Sequence, residues 1–379
     1  MRVFVRLSLA LAVGCVCAEA RADVPPSDPY HHAIAMRAIG EFDQAAGAFE
    51  RFAAESPQAA EAPAALSDAI VLRFGLNDDA HARDDAERFR KAYGATQPEM
   101  AAKISYAIAA HESERADWAA VERDLTAQMT SIDRGPTYLR MSAHALLGKA
   151  FARHAGDARA TAEYARVREL GASLKPGPSE ADVRPYAKGL VALGEATMFD
   201  ADAHRAAATW THLTAYSGRA DASEVDAWIT AKVTPWVQAR TSTIAGLDAE
   251  YKKVLSIGDY PPPSAVVDAA SRVAMMWADA ADELAKLSPS LRWDAAARKR
   301  FLDAIAKAAA PLAAKAKPAV LACVGYSVKF QWTDEASAAC GAWLTKTYRS
   351  EAPPLDELLL PHSFRFTSGA TEEAPIPAP

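Results

Sequence analysis

The sequence predicts an all-α protein on three observations. Alanine is abundant and β-branched runs are scarce, which favours helix over strand outside the proline-rich breaks. Apolar residues recur at helical spacing in one segment after another. A spaced set of small and aromatic residues also occurs twice, as Gly40, Phe42, Ala45, Phe49, Phe52, Pro57 and as Leu147-Gly148, Phe151, Ala160, Tyr164, Val167. The second copy supplies both halves of the L-G-x2-Y…A-x3-F pattern that marks a helix-turn-helix repeat of about 34 residues.

The chain opens with an export signal over residues 1–22. Arg2 and Arg6 make a positive start, Leu7 to Val16 is apolar, and Ala20-Arg21-Ala22 is a small-residue cleavage site before Asp23. A competing reading makes Cys15, after Ala12-Val13-Gly14, the lipid-bearing first residue of a lipoprotein. Soluble export to the periplasm is favoured, because the large aliphatic residue expected three before the cysteine is missing. No later stretch has the roughly 18 consecutive apolar residues of a membrane-spanning helix. Losing Arg2, Arg6, Arg21 and Glu19 with the signal takes the net charge from −6 to −8. An acidic chain without a basic stripe argues against nucleic-acid binding.

Four helical hairpins are predicted over residues 27–175. In the first, Ala45, Phe49 and Phe52 fall at i, i+4 and i+7 on one helical face, and Gly40 sits in the turn before it. Ala45 and Ala160 carry almost no side chain, so paired helices can approach closely while Phe49 or Tyr164 fills the adjoining groove. The second hairpin carries Ala65, Ala69, Leu72 and Phe74, then Asn77-Asp78-Asp79, then Ala82, Ala86, Phe89 and Tyr93. A third runs from about Pro98 to Glu114 and from Asp117 to Asp133, with Trp118, Val121, Leu125 and Met129 on one stripe. Gly135-Pro136 breaks the chain before the fourth, whose turn is Gly156-Asp157. Stacked hairpins of this kind bury a shared core and present a surface to partners.

A second helical domain follows. Pro176, Gly177 and Pro178 mark a linker, and a long-helix segment covers residues 179–258. Its start suits Ser179, Glu180 and Asp182, with Pro185 tolerable in the first turn. Ser223 to Ile257 is the longest continuous helical pattern in the sequence, with a kink expected at Pro235. Pro261-Pro262-Pro263 then sets the firmest boundary. Over residues 262–350, helices are expected near Ser264 to Leu287 and Asp294 to Lys317, followed by a cysteine-bearing pair. Val324 to Trp332 alternates like a strand, but a lone strand has nothing to pair with and helix is favoured. Cys323 and Cys340, 17 apart in an exported chain, could close a disulfide across a helical hairpin, contributing about 3 kcal/mol. The alternative is two buried free thiols. Residues 366–379, acidic and rich in proline, read as a disordered tail.

Several of these runs have a familial look. Ala145 to Gly148 with Tyr164, Ala249-Glu250-Tyr251-Lys252-Lys253-Val254, and the closing set Cys323, Tyr326-Ser327-Val328, Asp334-Glu335 and Cys340 to Leu344 together resemble exported tetratricopeptide-repeat proteins of the myxobacterial cell envelope. Some of these are associated with the adventurous gliding-motility machinery, and some are lipoproteins. The resemblance implies a tetratricopeptide-like helical-hairpin solenoid, a non-enzymatic scaffold for an envelope protein or peptide, and no catalytic residues.

Reaction chemistry finds little support. His111-Glu112 opens HESER, which lacks the second histidine of a zinc-hydrolase helix and reads as a solvated face. His31-His32, His204 and His212 have no carboxylate or cysteine at ligand spacing, so no metal is expected. Gly148-Lys149-Ala150 lacks the rest of a phosphate loop, G-x-S-x-G does not occur, and no cofactor is implied. Asp78-Asp79 and Asp84-Asp85 suit helix starts and exposed faces. Of eight tryptophans, most sit at core spacing; Trp210 and Trp293 are the least embedded and carry a ligand-platform alternative. An all-α enzyme assembled from scattered residues of the second half is the other alternative.

Overall fold

A computed structural model describes residues 29–153, 158–177 and 179–348. Among these residues there are fourteen α-helices and no strand, so the fold is all-α. The export signal, Cys15, the Gly156-Asp157 turn and the 366–379 tail lie outside the described residues. The chain divides into two compact units, one ending at Gly135 and the other beginning at Pro136.

The first unit is three antiparallel hairpins. They are α1 (Pro29–Ala38) with α2 (Phe42–Glu55), α3 (Ala62–Gly75) with α4 (Asp79–Tyr93), and α5 (Pro98–Glu114) with α6 (Trp118–Ile132). One turn geometry serves all three. Gly40, Asn77 and Ala116 each take left-handed φ, at +86°, +59° and +59°. The next residue's N–H reaches back five positions, Glu41 to Met36 O, Asp78 to Arg73 O and Asp117 to Glu112 O, each near 3 Å. This is a Schellman-type stop, which satisfies carbonyls that the ended helix would leave bare. Asp78 and Asp117 then accept from His81 N and Ala120 N and cap the following helix. The turns recur 37 and 39 residues apart. Ala33, Ala45, Phe49, Ala65, Ala69, Ala82 and Phe89 are fully buried between the first two hairpins, and Val121, Leu125 and Ile132 on α6.

The second unit begins with α7 (Thr137–Phe151) and α8 (Ala158–Gly171), which pack on α9 (Glu180–Ala207) through Met141, Tyr164, Val167, Ala192 and Ala196. Ser179 and Asp182 form a capping box at the start of α9. Pro185 lies in the second turn rather than the first, so the helix extends further back than its proline suggests.

The predicted single segment Ser223 to Ile257 resolves into pieces. Helix α10 (Ala222–Trp228) passes through a π-helical turn at Ile229–Val233 into α11 (Thr234–Tyr251), which tightens to a 3-10 turn at Lys252–Ser256. The irregularity expected at Pro235 is this π turn, where Thr234 N–H bonds Ile229 O. Proline has no N–H and crowds the carbonyl four residues back, and widening the turn before it relieves both.

The longest helix lies elsewhere. The two helices expected on either side of Lys317 are one, α13 (Ala295–Phe330, 36 residues), which runs through Pro311 and Pro318. Both prolines are exposed, on the side where a bent helix opens toward water and a missing backbone bond is least costly. Helix continues through Val324, and a left-handed Gln331 ends it before α14 (Glu335–Thr347). At the centre of the unit α12 (Pro263–Ala285) packs against α9, α11, α13 and α14. The Cys323 and Cys340 sulfurs lie at disulfide-bonding distance, with Cα atoms 6.5 Å apart, tying α13 to α14.

Candidate functional site

The repeat-signature residues form two seams, one in each unit. In the first, Ala45 and Phe49 on α2 are fully buried, with the Tyr30 ring of α1 5.8 Å from Phe49 and 5.4 Å from Phe52. Gly40 is the left-handed residue of the turn between these helices. In the second, Gly148 on α7 faces Tyr164 on α8 so closely that an added Cβ would lie 3.1 Å from Tyr164 Cε2. Ala160 is buried one turn earlier on α8, and the Tyr164 ring stacks on Phe199 of α9 at 4.4 Å. Burial pushes the Tyr164 hydroxyl pKa upward, so the phenol stays neutral.

Charged groups are set into the first unit where the sequence reads as solvated. Glu112, in the HESER run, is buried against Arg83, which also holds Asp124 at 2.8 Å. Burial, with Asp124 beside it, pushes the Glu112 carboxyl up to about 7. Asp85 is buried too, raised to about 6 by burial and by nearby Glu50, and it accepts from Arg88 at 2.8 Å. The expectation of exposed faces therefore fails for Glu112 and Asp85. The signal that would have found Glu112 is its place on the apolar stripe of α5 with Ala101, Ser105 and Ala109. Arg73 on α3 donates to Glu50 and Asp43 of α2 at 2.6 Å each, and its bond to Glu50 holds its proton still more tightly. His111 pairs with Asp79 at 3.0 Å.

The second unit holds a polar cleft of about 610 Å³ lined by Arg205, Ala206, Trp210, His212, Arg240, Met276, Asp279, Ala280 and Glu283. Arg240 sits on the buried stripe of α11 with Trp236, Ile244, Leu247 and Tyr251, another charge at an apolar position. Its guanidinium lies 4.9 Å from the Trp210 ring centroid and 5.1 Å from that of Trp236. The irregular segment 208–221 folds over it. Thr211 O accepts from Trp236 Nε1 at 2.8 Å and from Arg240 Nη2 at 2.9 Å, and Leu213 N–H donates to Glu283 at 3.1 Å. A neighbouring cleft of about 590 Å³ shares Arg205, Met276 and Asp279 and adds Arg272, Asp268 and Asp334. There burial and the adjacent Asp334 raise the Asp268 carboxyl to about 6. A smaller apolar pocket of about 230 Å³ is lined by Tyr251, Val266, Val273, Trp277 and Tyr326 among others.

Trp236, Trp277 and Trp343 are buried, Trp210 and Trp293 are half-buried against the core, and Trp332 is the most open of those six at 43 %. His204 and His212 do meet carboxylates distant in sequence, Glu250 at 3.2 Å and Glu283 at 3.6 Å. No group of three metal-ligating side chains occurs among the described residues, and no helix there is long and apolar enough to cross a membrane. No protein-family model and no curated protein matches the chain.

Proposed function

We propose that this chain is an exported, non-enzymatic scaffold of the cell envelope that holds a protein or peptide partner on tetratricopeptide-like hairpins. The observation that carries the reading is the threefold recurrence of one left-handed turn, at Gly40, Asn77 and Ala116, each joining helices in antiparallel contact. Units repeated in this way give a rigid, laterally extended surface rather than a single enclosed site. The spacing of 37 and 39 residues is looser than the roughly 34 of the tetratricopeptide class. Four large apolar side chains stand exposed on the first two hairpins, Ile39, Phe42, Val71 and Leu76, at 77, 47, 65 and 39 %. Arg37 and Asp68, bonded at 2.7 Å, clamp α1 to α3 beside them. Exposed apolar groups on a rigid scaffold are anchors for a partner. Membership of a gliding-motility complex rests on the sequence resemblance, whereas attachment through Cys15 rests on the Ala12-Val13-Gly14 run before it and gains from the lipoproteins of that family.

Affinity capture from envelope extracts of the source cells tests this. The parent chain should retain a specific partner, and Val71→Glu together with Ile39→Glu should release it while leaving the helical signal intact. A capture that recovers nothing above control, or recovers the same partner equally well with the double variant, defeats the proposal. The intact mass of the exported protein separates cleavage after Ala22 from lipidation at Cys15.

A further inference from the structure

The structure assigns a small-molecule site to the second unit: we propose that the cleft at Arg240 binds a neutral saccharide ring, independently of any partner held by the hairpins. The argument starts from the arginine. A guanidinium this buried, at 8 % exposure, needs its N–H groups occupied to offset desolvation. Both hydrogen bonds of Arg240 leave from Nη2, to Thr211 O and to Glu283, each at 2.9 Å. Among the described residues Nε is sealed from solvent without a partner and Nη1 makes no hydrogen bond, so Nη1 is the donor left for the cleft that Arg240 lines. The indoles of Trp210 and Trp236 hold the group in place, and Trp210 Nε1 is fixed to Arg205 O at 3.1 Å. An irregular fourteen-residue segment, 208–221, is pinned by four hydrogen bonds to form one wall. Ordered irregular segments of this length are commonly functional.

Charge then selects the ligand class. Arg240 is already matched by Glu283 at 2.9 Å and Arg205 by Asp202 at 3.2 Å, so an incoming anion would meet the Glu283 and Asp279 carboxylates without gaining an unmatched cation. An incoming cation would meet Arg205 and Arg240. What the cleft offers is one buried donor at Nη1, the half-buried indole of Trp210, and an acceptor in Asp279, which forms no hydrogen bond or ion pair among the described residues and stands at the solvent-open rim, its carboxyl held above the ordinary range by partial burial and by Asp282. A sugar ring complements all three: a hydroxyl oxygen for Nη1, a hydroxyl hydrogen for Asp279 and a C–H face for the indole. A volume of about 610 Å³ accommodates two such rings.

Isothermal titration of the full chain with cellobiose, the β-1,4 disaccharide of N-acetylglucosamine, glucuronate and glucosamine tests the proposal. One of the two neutral disaccharides should give saturable heat with a dissociation constant in the roughly 10 μM to 1 mM range. Asp279→Ala, which removes a partly desolvated carboxylate beside Asp282 and Glu283 from inside α12 and so should keep or raise the thermal midpoint, should weaken that binding about tenfold, and Trp210→Leu should do at least as much. Three results overturn the proposal: no saturable heat from either neutral disaccharide, parental affinity in Asp279→Ala, or tighter binding of glucuronate or glucosamine than of the neutral sugars.

Discussion

Gly148 and Tyr164 occupy one space. A Cβ on Gly148 would lie 3.1 and 3.2 Å from the Tyr164 ring and 3.3 Å from Glu163 Cβ, and the ring is buried and stacked on Phe199 at 4.4 Å, which limits its room to shift. Gly148→Ala therefore sets a helix-propensity gain of about 1 kcal/mol against overpacking of a rigid seam, and overpacking costs about 1 to 3 kcal/mol. Gly246, inside α11, has nothing within 4 Å of its added Cβ. Urea unfolding should show Gly246→Ala stabilising by about 0.5 to 1 kcal/mol and Gly148→Ala destabilising. Equal stabilisation by both would mean that the seam gives way easily.

Reduction should loosen the end of the second unit. The Cys323–Cys340 link closes a loop of 17 residues, and α14 is also held by the buried Ser337, Trp343 and Leu344 and by Trp343 Nε1 on Asp282 at 3.2 Å. The unreduced protein should exceed the reduced one by about 3 kcal/mol in chemical unfolding, the chain-entropy value for such a loop. Two titratable thiols in the unfolded, unreduced protein would show that the link is not formed.

What the sequence makes legible follows from how local each cause is. The helices of the hairpins follow from alanine and aromatic spacing, and the turns at Gly40 and Asn77-Asp78 from residues that tolerate left-handed φ or cap a helix. Ala116 in the same conformation is unsignalled, because alanine has no preference for it; the repeat imposes it. Glu112, Asp85 and Arg240 escape notice for a different reason. A charge reads as exposed until its surroundings are known, and Arg83, Glu50 and Glu283, which sit against Glu112, Asp85 and Arg240, lie 29 to 43 residues away in sequence; Arg88, three residues on from Asp85, gives no sign that this acid is buried. The continuity of α13 through two prolines depends on which side faces water, which tertiary packing alone decides.

Arg73 should matter through what it neutralises. It is only 9 % exposed and joins Glu50 and Asp43 of α2 to α3, while Glu50 also faces Asp85. Arg73→Leu leaves Glu50 without its cation and facing Asp85, which Arg88 still holds, costing about 2 to 3 kcal/mol given the partial exposure of the acids. Glu50→Gln in the same chain should recover a large part of that loss. Simple loss of packing predicts no such recovery, so a double-mutant cycle in chemical denaturation separates the two causes.

Glu112 makes the first unit sensitive to pH in the opposite sense to an ordinary carboxylate ion pair. Its carboxyl is raised from 4.5 to about 7, first by burial and then by Asp124, and the Arg83 guanidinium, which bonds both acids, offsets only part of this. The folded protein thus binds this proton more tightly than the unfolded chain does. The stabilisation is complete below about 4.5 and is lost as pH rises through about 7. Asp124 does not cancel it, because that carboxyl is held low by its bonds to Arg123, Glu112 and Arg83 against the effect of burial, and titrates below the window. Glu112→Gln keeps the shape, stays neutral, and should gain on the parent by about 1 to 2 kcal/mol between pH 5 and pH 8. Thermal or urea unfolding of both proteins across that range measures the difference directly. A stability gap that stays constant with pH would place the Glu112 titration back at an ordinary carboxylate value and deny the buried site its effect.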